Sequence, residues 1–377
     1  MYKAQQENRI STYPGLNILF LQGPAGSFFS RLSKFFKKHD VSTYHINFCM
    51  GDKFFNRENN SVDFTGKISN WPQFFENYMI KFKINRVYML NDCRPYHISI
   101  LPILQKLNID YYVFEDGYFR PNYITLESKG VNANSDYYIY DNYDYEPTKN
   151  RLEISEPKLS KFFERAIYSI LSTTDFLFFN SYQNYRNIDP ISRGFGLVQN
   201  YFYKLAESSD LKKLMIDGGY IYISLQVEDD TQLAFHSFFK SMDRYLSFVL
   251  EGIKKLKPNS TVIVKAHPQN LKSAAILEKK YKDSSNIHFI YSGDYADYLD
   301  NAEMAIVNNS TSGIKALQSH KPLFCCSNSV YLKKRYQSIK EVESDFIKFL
   351  THSSNSQSFV NLNKLKIATQ IEGKFYR

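Results

Sequence analysis

The run Tyr112-Val113-Phe114-Glu115-Asp116-Gly117-Tyr118-Phe119-Arg120-Pro121 decides how the first half of this 377-residue chain is read. An apolar and aromatic stretch ends in two adjacent carboxylates, a glycine and an arginine. A strand that stops in Glu-Asp-Gly carries charge at its carboxyl end, where open α/β sheets place their ligands. Asp-Gly is also a common turn dipeptide, so an isolated copy would describe only a surface turn. Three further stretches favour a site: Gln226-Val227-Glu228-Asp229-Asp230, Lys265-Ala266-His267-Pro268 and Asn309-Ser310-Thr311-Ser312-Gly313.

Outward from that run, short apolar segments alternate with helical patterns. Asn17 to Leu21 reads as a strand, Gly23-Pro24-Ala25-Gly26-Ser27 as a turn, and Phe28 to His39 as a basic amphipathic helix. A strand from Thr43 to Phe48, a helix from Trp71 to Phe82, a strand from Arg86 to Leu90, a helix from His97 to Leu107 and the strand Tyr111 to Phe114 follow. Such alternation predicts a parallel sheet with right-handed crossovers. A less regular segment rich in Tyr, Asn and Asp runs from Asn122 to Asn200, and then the grammar restarts. The strands expected are Tyr220 to Leu225, Thr261 to Lys265, His288 to Tyr291, Met304 to Val307 and Pro322 to Cys326. Helices are expected over Leu233 to Lys255, Ser273 to Tyr281, Tyr295 to Asn301 and Ser312 to Ser319. The fold class is α/β: two Rossmann-like domains, 1–200 and 201–377, facing a cleft in the manner of glycosyltransferase-B enzymes, the last step by fold analogy.

Composition agrees with two ordinary domains. A chain of 377 residues exceeds the size at which single cores stop growing. Its 43% hydrophobic content, with 30 Tyr and 31 Phe, excludes disorder. Apolar runs such as Leu16 to Leu21 are too short to span a bilayer, and Met1 to Pro14 has no signal-peptide core, so a cytoplasmic location is expected. Cys49, Cys93, Cys325 and Cys326 lack metal-ligand spacing and read as buried thiols, with no metal expected.

The net charge of +9 calls for an anionic partner. No nucleic-acid-binding signature accompanies it, which leaves an acidic membrane face or an anionic substrate. Between Lys161 and Tyr185 bulky aromatics mix with basic residues. That stretch could be a membrane-surface or lipid-receiving segment, but a core-packed helix with a solvated basic edge is the favoured reading.

Several groups carry the chemistry. Gly23 and Gly26 lie in a strand-to-helix turn whose amides suit an anion. The turn is neither a dinucleotide-binding fingerprint nor a P-loop, and it serves as well as a plain βα turn lining a cleft. Pro268 restricts His267 to an extended backbone at a strand end, with Lys265 beside it; a structural histidine is the alternative. Ser310, Thr311 and Ser312 combine hydroxyls with a helix N-terminus, a phosphate cradle or ordinary capping.

These residues also carry a resemblance. Phe20-Leu-Gln-Gly-Pro-Ala-Gly-Ser-Phe-Phe-Ser-Arg31, Arg94-Pro-Tyr-His97, Phe114 to Glu127 with Gly130-Val-Asn132, Leu225 to Gln232, His267-Pro268 and Asn309 to Gly313 resemble, in order, the KpsS/LipB family of capsule polysaccharide proteins. Two departures occur: Asp92-Cys93-Arg94 replaces a usual Gly-Asp before the arginine, leaving the role of Asp92 open, and Ser224 replaces a usual proline. The resemblance implies a retaining β-Kdo transferase that moves Kdo from CMP-Kdo to a (lyso)phosphatidylglycerol acceptor. It implies work at the inner face of the cytoplasmic membrane, alongside other capsule assembly proteins. It assigns Asp116 as nucleophile and Glu115 or Glu127 as its assistant. Gln226, Lys265, His267, Ser310, Thr311 and Ser312 would bind the CMP side of the donor, and Arg94 and Arg120 the sugar carboxylate. No cofactor is expected, because a departing monophosphate is served by cationic and N–H donors. The alternatives are a sialyltransferase-like enzyme, a nucleotide-sugar epimerase, or a non-catalytic lipid-linker scaffold of capsule export.

Overall fold

The computed structural model describes residues 12, 14–57, 60–142, 154, 159–179, 219–293, 295–352 and 356–376. They divide into two compact units, Met1–Pro190 with Asn363–Arg377, and Ile191–Leu362. The junction expected near residue 200 lies outside the described residues.

The first unit carries strands β1 (Asn17–Leu21), β2 (Ser42–Asn47), β3 (Ser61–Asp63), β4 (Arg86–Leu90), β5 (Asp110–Asp116) and β6 (Tyr123–Ser128). The second carries β7 (Tyr220–Ser224), β8 (Val262–Lys265), β9 (Ile287–Ile290), β10 (Ala302–Val307) and β11 (Leu323–Cys325). A last strand, β12 (Gln370–Glu372), returns to the first unit. The sheets run β12-β6-β5-β4-β1-β2-β3 and β11-β10-β7-β8-β9. The order 5-4-1-2-3 thus appears in both, with every β1-to-β5 and β7-to-β11 pairing parallel. This is the Rossmann strand order, and it reverses between β1 and β4 and between β7 and β10, the positions where such sheets bind ligands.

Side-chain alternation builds the first core on two faces. Phe20, Tyr88, Phe114 and Leu126 pack under helix Phe28–Lys37 through Phe28, Phe29, Leu32 and Phe36. Leu19, Leu21, Val87, Met89 and Val113 face Trp71 and Phe75 of helix Trp71–Lys81. Phe375 joins the first face, its ring 4.7 Å from that of Phe28. This contact, with β12 pairing antiparallel to β6, explains why Asn363–Arg377 belongs to the first unit and not to a second domain spanning 201–377.

Other departures have local causes. Strand β5 continues past Phe114 to Asp116 and reverses at Gly117, where any Cβ would overlap the Tyr123 carbonyl oxygen, to return as antiparallel β6. The helix expected from His97 to Leu107 is two, Pro95–Ile98 and Leu101–Lys106, because Pro102 lacks the amide that a continuous helix needs. The long helix from Leu233 divides into Thr231–His236 and Met242–Leu256. Lys240 adopts φ +59° there, and the Ser241 hydroxyl accepts from Arg244 N at 3.3 Å to start the second helix. The four cysteines are buried thiols. No helix among the described residues is long and apolar enough to cross a membrane.

Candidate active site

In the first unit the carboxyl ends of β1, β4 and β5 converge. Asn91, at φ +63°, donates through Nδ2 to Glu115 at 2.9 Å and accepts from Cys93 N at 2.8 Å. Arg94 reaches across the strand-order reversal to donate to the Gln22 carbonyl at 2.7 Å, and its buried Nε has no hydrogen-bond partner among the described residues. Asp92 is not offered to a substrate: buried, it accepts from Val131 N and Asn134 Nδ2 at 3.3 and 2.8 Å and so anchors that loop. Burial raises its pKa. His97 is likewise buried, its pKa lowered to about 3 by desolvation and by Arg94, so its ring is neutral at physiological pH.

Glu115 and Asp116 are neighbours in sequence and opposites in space, as the two-residue period of a strand requires. Glu115 faces Asn91 and also accepts from the Asp116 amide at 2.9 Å. Asp116 shares its face with Ile124 and Phe114 and leaves 52% of its side chain exposed. Its carboxylate lies 3.6 Å from the Arg120 guanidinium, whose Nε donates to the Gly117 carbonyl. Lys161 and Arg165 complete the surroundings, each cation within 6 Å of the Tyr376 ring. The Lys161 pKa is lowered by burial and by Arg165, with Asp116 opposing.

Glu127 has a different role from the one expected. It is 2% exposed and accepts from Tyr118 OH at 2.8 Å and from the Ser135 hydroxyl. Tyr118 OH in turn accepts from Asn132 N at 2.6 Å. Glu127 therefore fixes the segment from Tyr118 to Ser135, its buried carboxylate oxygens taken by these two hydroxyls. Because β6 is not legible as a strand, nothing in the sequence announces this burial.

The turn at Gly23 and Gly26 already holds an anion from the same chain. Ser27 donates to the Glu164 carboxylate from its amide, at 3.3 Å, and from its hydroxyl. A Cβ on Gly26 would overlap Glu164, and one on Gly23 would press on the Phe29 ring at 2.6 Å. The Ser27 amide and hydroxyl are taken by Glu164, so this end of the turn receives a helix of the same chain.

In the second unit the residues following β7 and β10 interlock. Gln226 Nε2 donates to Asn309 Oδ1 and Asn308 Nδ2 to Gln226 Oε1, both at 3.1 Å. The Ser312 hydroxyl donates to Ser224 at 3.1 Å. Ser312 N is taken by the Ser310 hydroxyl at 3.2 Å, and Gly313 N and Ile314 N by the Ser310 and Thr311 carbonyls at 3.0 Å each. Helix Ser312–Gln318 is thus capped by its own chain, which limits the expected cradle to the Thr311 hydroxyl and the half-buried rim. His267 is half-buried after β8, and Gln269 N donates to its Nδ1 at 3.2 Å. That bond puts the proton of the neutral ring on Nε2, a donor for an anion. Lys265 is turned inward, buried, donating to the Ala266 carbonyl at 3.2 Å and lying 5.9 Å from the Tyr298 ring centre. Among the described residues no cluster of three His, Cys, Asp or Glu has the geometry of a metal site.

Known proteins resemble this chain along most of its length. The chain is 27% identical over 335 residues to the capsule polysaccharide export protein KpsS of Escherichia coli, covering 84% of this chain and 86% of that one. It is 24% identical over 339 residues to the capsule polysaccharide modification protein LipB of Neisseria meningitidis serogroup A, covering 84% and 81%. Among solved structures it is similar to the KpsC beta Kdo 2,7 transferase of Thermosulfurimonas dismutans, at 14% identity and TM-score 0.40 over 93% of this chain and 98% of that one. It is also similar to the UDP-GlcNAc 2-epimerase of Methanocaldococcus jannaschii, at 14% identity and TM-score 0.33 over 92% and 95%. The model of the capsule polysaccharide biosynthesis protein family matches residues 85–376, a span holding Arg94, Glu115, Asp116, Glu127, His267 and Ser310, and the chain belongs to that family.

Proposed function

We propose that this protein is a retaining β-Kdo transferase that moves Kdo from CMP-Kdo to a (lyso)phosphatidylglycerol acceptor, beginning the lipid linker of a capsular polysaccharide at the inner face of the cytoplasmic membrane. The observation that carries the reading is Asp116: a half-exposed carboxylate at the carboxyl end of β5, with a guanidinium 3.6 Å away. Kdo bears its own carboxylate on the anomeric carbon, so a nucleophile for that carbon needs a cation beside it to neutralise the second negative charge. Arg120 meets that need, and Arg94, with an unpartnered Nε, is a second cation at the strand-order reversal.

In the proposed reaction Asp116 forms a bond to the anomeric carbon as the bond to the CMP phosphate oxygen breaks, that oxygen leaving with the electron pair. The acceptor hydroxyl oxygen then attacks the same carbon, expels Asp116 as a carboxylate and passes its proton to Glu115. Two inversions give net retention. Glu127 positions the loop and exchanges no proton. The Nε2–H of His267 and the Thr311 hydroxyl serve the donor phosphate, while Gln226 holds Asn308 and Asn309 in place. No divalent metal is needed, because the leaving group is a monophosphate. Incubation of the purified protein with CMP-Kdo and a fluorescent lyso-phosphatidylglycerol, with NMR of the product linkage, tests the reading. CMP release with a β-linked lipid product is expected; no release from CMP-Kdo with any glycerolipid overturns it.

A further inference from the structure

Helix Lys161–Ser172 is attached to the first unit through Glu164 and Tyr168, with Ile167 and Leu171 half-buried, and turns Phe162, Phe163 and Ile170 outward. Glu164 and Tyr168, on consecutive turns, are its buried residues. Glu164 binds Ser27. Tyr168 OH donates to Asp52 at 2.8 Å, and its ring lies where a Cβ on Gly51 would come within 2.7 Å. In the short helix that follows, Asp175–Phe178, the Asp175 carboxylate accepts from Met50 N at 2.7 Å. On the opposite side Phe162, Phe163 and Ile170 are 70, 58 and 62% exposed, and Phe176, Leu177 and Phe178 are 72, 62 and 56% exposed. A surface helix of a globular protein normally buries its apolar face, whereas between Lys161 and Phe179 only Glu164, Tyr168 and Phe179 are buried; residues 180–185 lie outside the described residues.

The chemistry at the margin of this ridge says what covers it. Lys161 and Arg165 stand over the Tyr376 ring at 5.6 and 5.2 Å, and Arg120 joins them around Asp116. An apolar ridge bordered by cations, on a chain of net charge +9, is complementary to a surface that is apolar within and anionic at its boundary. We propose that the ridge formed by Phe162, Phe163, Ile170, Phe176, Leu177 and Phe178 docks the protein on an anionic lipid bilayer, with lipid headgroups brought to Lys161, Arg165 and Asp116. Docking itself stands on the geometry alone; that a headgroup at Asp116 is the acceptor rests on the transferase reading.

The test uses the full chain and the variant Phe162→Ser/Phe176→Ser/Leu177→Ser, whose replaced side chains are exposed and outside the chemistry. Flotation is measured with phosphatidylcholine vesicles with and without phosphatidylglycerol, and transfer from CMP-Kdo is measured in parallel with a short-chain acceptor that forms no vesicles. Wild type should bind the phosphatidylglycerol vesicles, and the variant should lose about tenfold or more of that binding while keeping its melting temperature and its short-chain transfer. Failure of wild type to bind these vesicles, or equal binding by the variant, overturns the docking surface. So does loss of self-association in the variant with vesicle binding unchanged. Vesicle binding that follows the ridge without any transfer would sink only the transferase reading.

Discussion

The Glu164 carboxylate sits at the N-terminus of helix Phe28–Lys37, accepting from the amide and hydroxyl of Ser27, a residue 137 positions earlier in the chain. A carboxylate at a helix N-terminus is stabilised by otherwise unpaired amides and by the positive end of the helix dipole. Gly26 is what allows it that close, since a Cβ there would occupy the same space.

Two substitutions should therefore fail by the same route. Glu164→Ala removes the acceptor and leaves the half-buried amide and hydroxyl of Ser27 without it, at a cost of about 1–3 kcal/mol. Gly26→Ala forces Glu164 away and should cost at least as much. Thermal unfolding of each single variant and of the pair checks this: the two losses should be strongly non-additive, whereas simple addition would show that they do not share one contact.

Glu127→Gln separates a positioning role from a chemical one. The buried carboxylate accepts from two hydroxyls, Tyr118 and Ser135, and an amide offers one acceptor oxygen in place of two. The expected outcome is a loss of stability of about 1–3 kcal/mol with loosened protection of the segment from Tyr118 to Ser135 in hydrogen exchange. Activity per folded molecule should fall much less than in Asp116→Asn. Full stability with abolished transfer would return Glu127 to the reaction.

The parallel core of both units was legible because strands buried on two faces read as short continuous apolar runs, as in Val262-Ile263-Val264. The features that local sequence does not reveal depend on distant partners. β12 is three residues long and acquires its meaning from β6, where Gln370 Nε2 donates to the Thr125 hydroxyl at 3.0 Å across 245 positions. Without β6 the burial of Glu127 was invisible. At Ser310 to Ser312 the same hydroxyls that suit a phosphate also suit a cap, and composition does not choose between them. Gly23 and Gly26 were readable as an anion-binding turn, but the anion proved to be Glu164, which local pattern marks only as part of an amphipathic helix. The apolar run before them is enough to put Glu115 and Asp116 at a strand end. Their separation onto two faces follows from strand period, while the groups each one meets do not.

His45 gives the first unit a built-in acid sensitivity. It is fully buried, its ring 5.1 Å from that of Phe20, with no hydrogen-bond partner on either ring nitrogen among the described residues. Burial, with a smaller push from Lys37, lowers its pKa from 6.5 to about 3. A histidine whose folded pKa is depressed takes up a proton on unfolding. Its contribution is fully present above pH 6.5 and is lost as the pH falls toward 3. Burial raises Asp52 and Asp92, which act with the opposite sign, so a variant comparison isolates the histidine. His45→Leu, of similar volume, should be neutral or stabilising at pH 7 and should flatten the fall of melting temperature between pH 6.5 and 4. An unchanged acid slope in the variant would show that His45 does not set it.

Asp116→Asn carries the mechanism. The substitution keeps shape and volume and removes a charge whose nearest ion pair, Arg120 at 3.6 Å, is exposed, so folding should be preserved within about 1 kcal/mol. Retention at the anomeric carbon requires either two displacements through a covalent adduct or departure and attack on one face. A half-exposed carboxylate at the carboxyl end of β5, with Arg120 3.6 Å away, suits the first route. An amide cannot form that adduct, so transfer should fall by several orders of magnitude, on the order of 10³ or more, while CMP still binds in the second unit. Glu115→Gln, which loses only the proton acceptor, should fall by roughly 10²–10⁴ and should still accumulate adduct when acceptor is absent. Intact-protein mass spectrometry with CMP-Kdo alone should show wild type and Glu115→Gln gaining one Kdo on the peptide containing Asp116, and Asp116→Asn gaining none. An adduct mapped to Glu115, or near-normal transfer by a well-folded Asp116→Asn protein, would move the nucleophile to the other face of β5, where Asn91 holds Glu115.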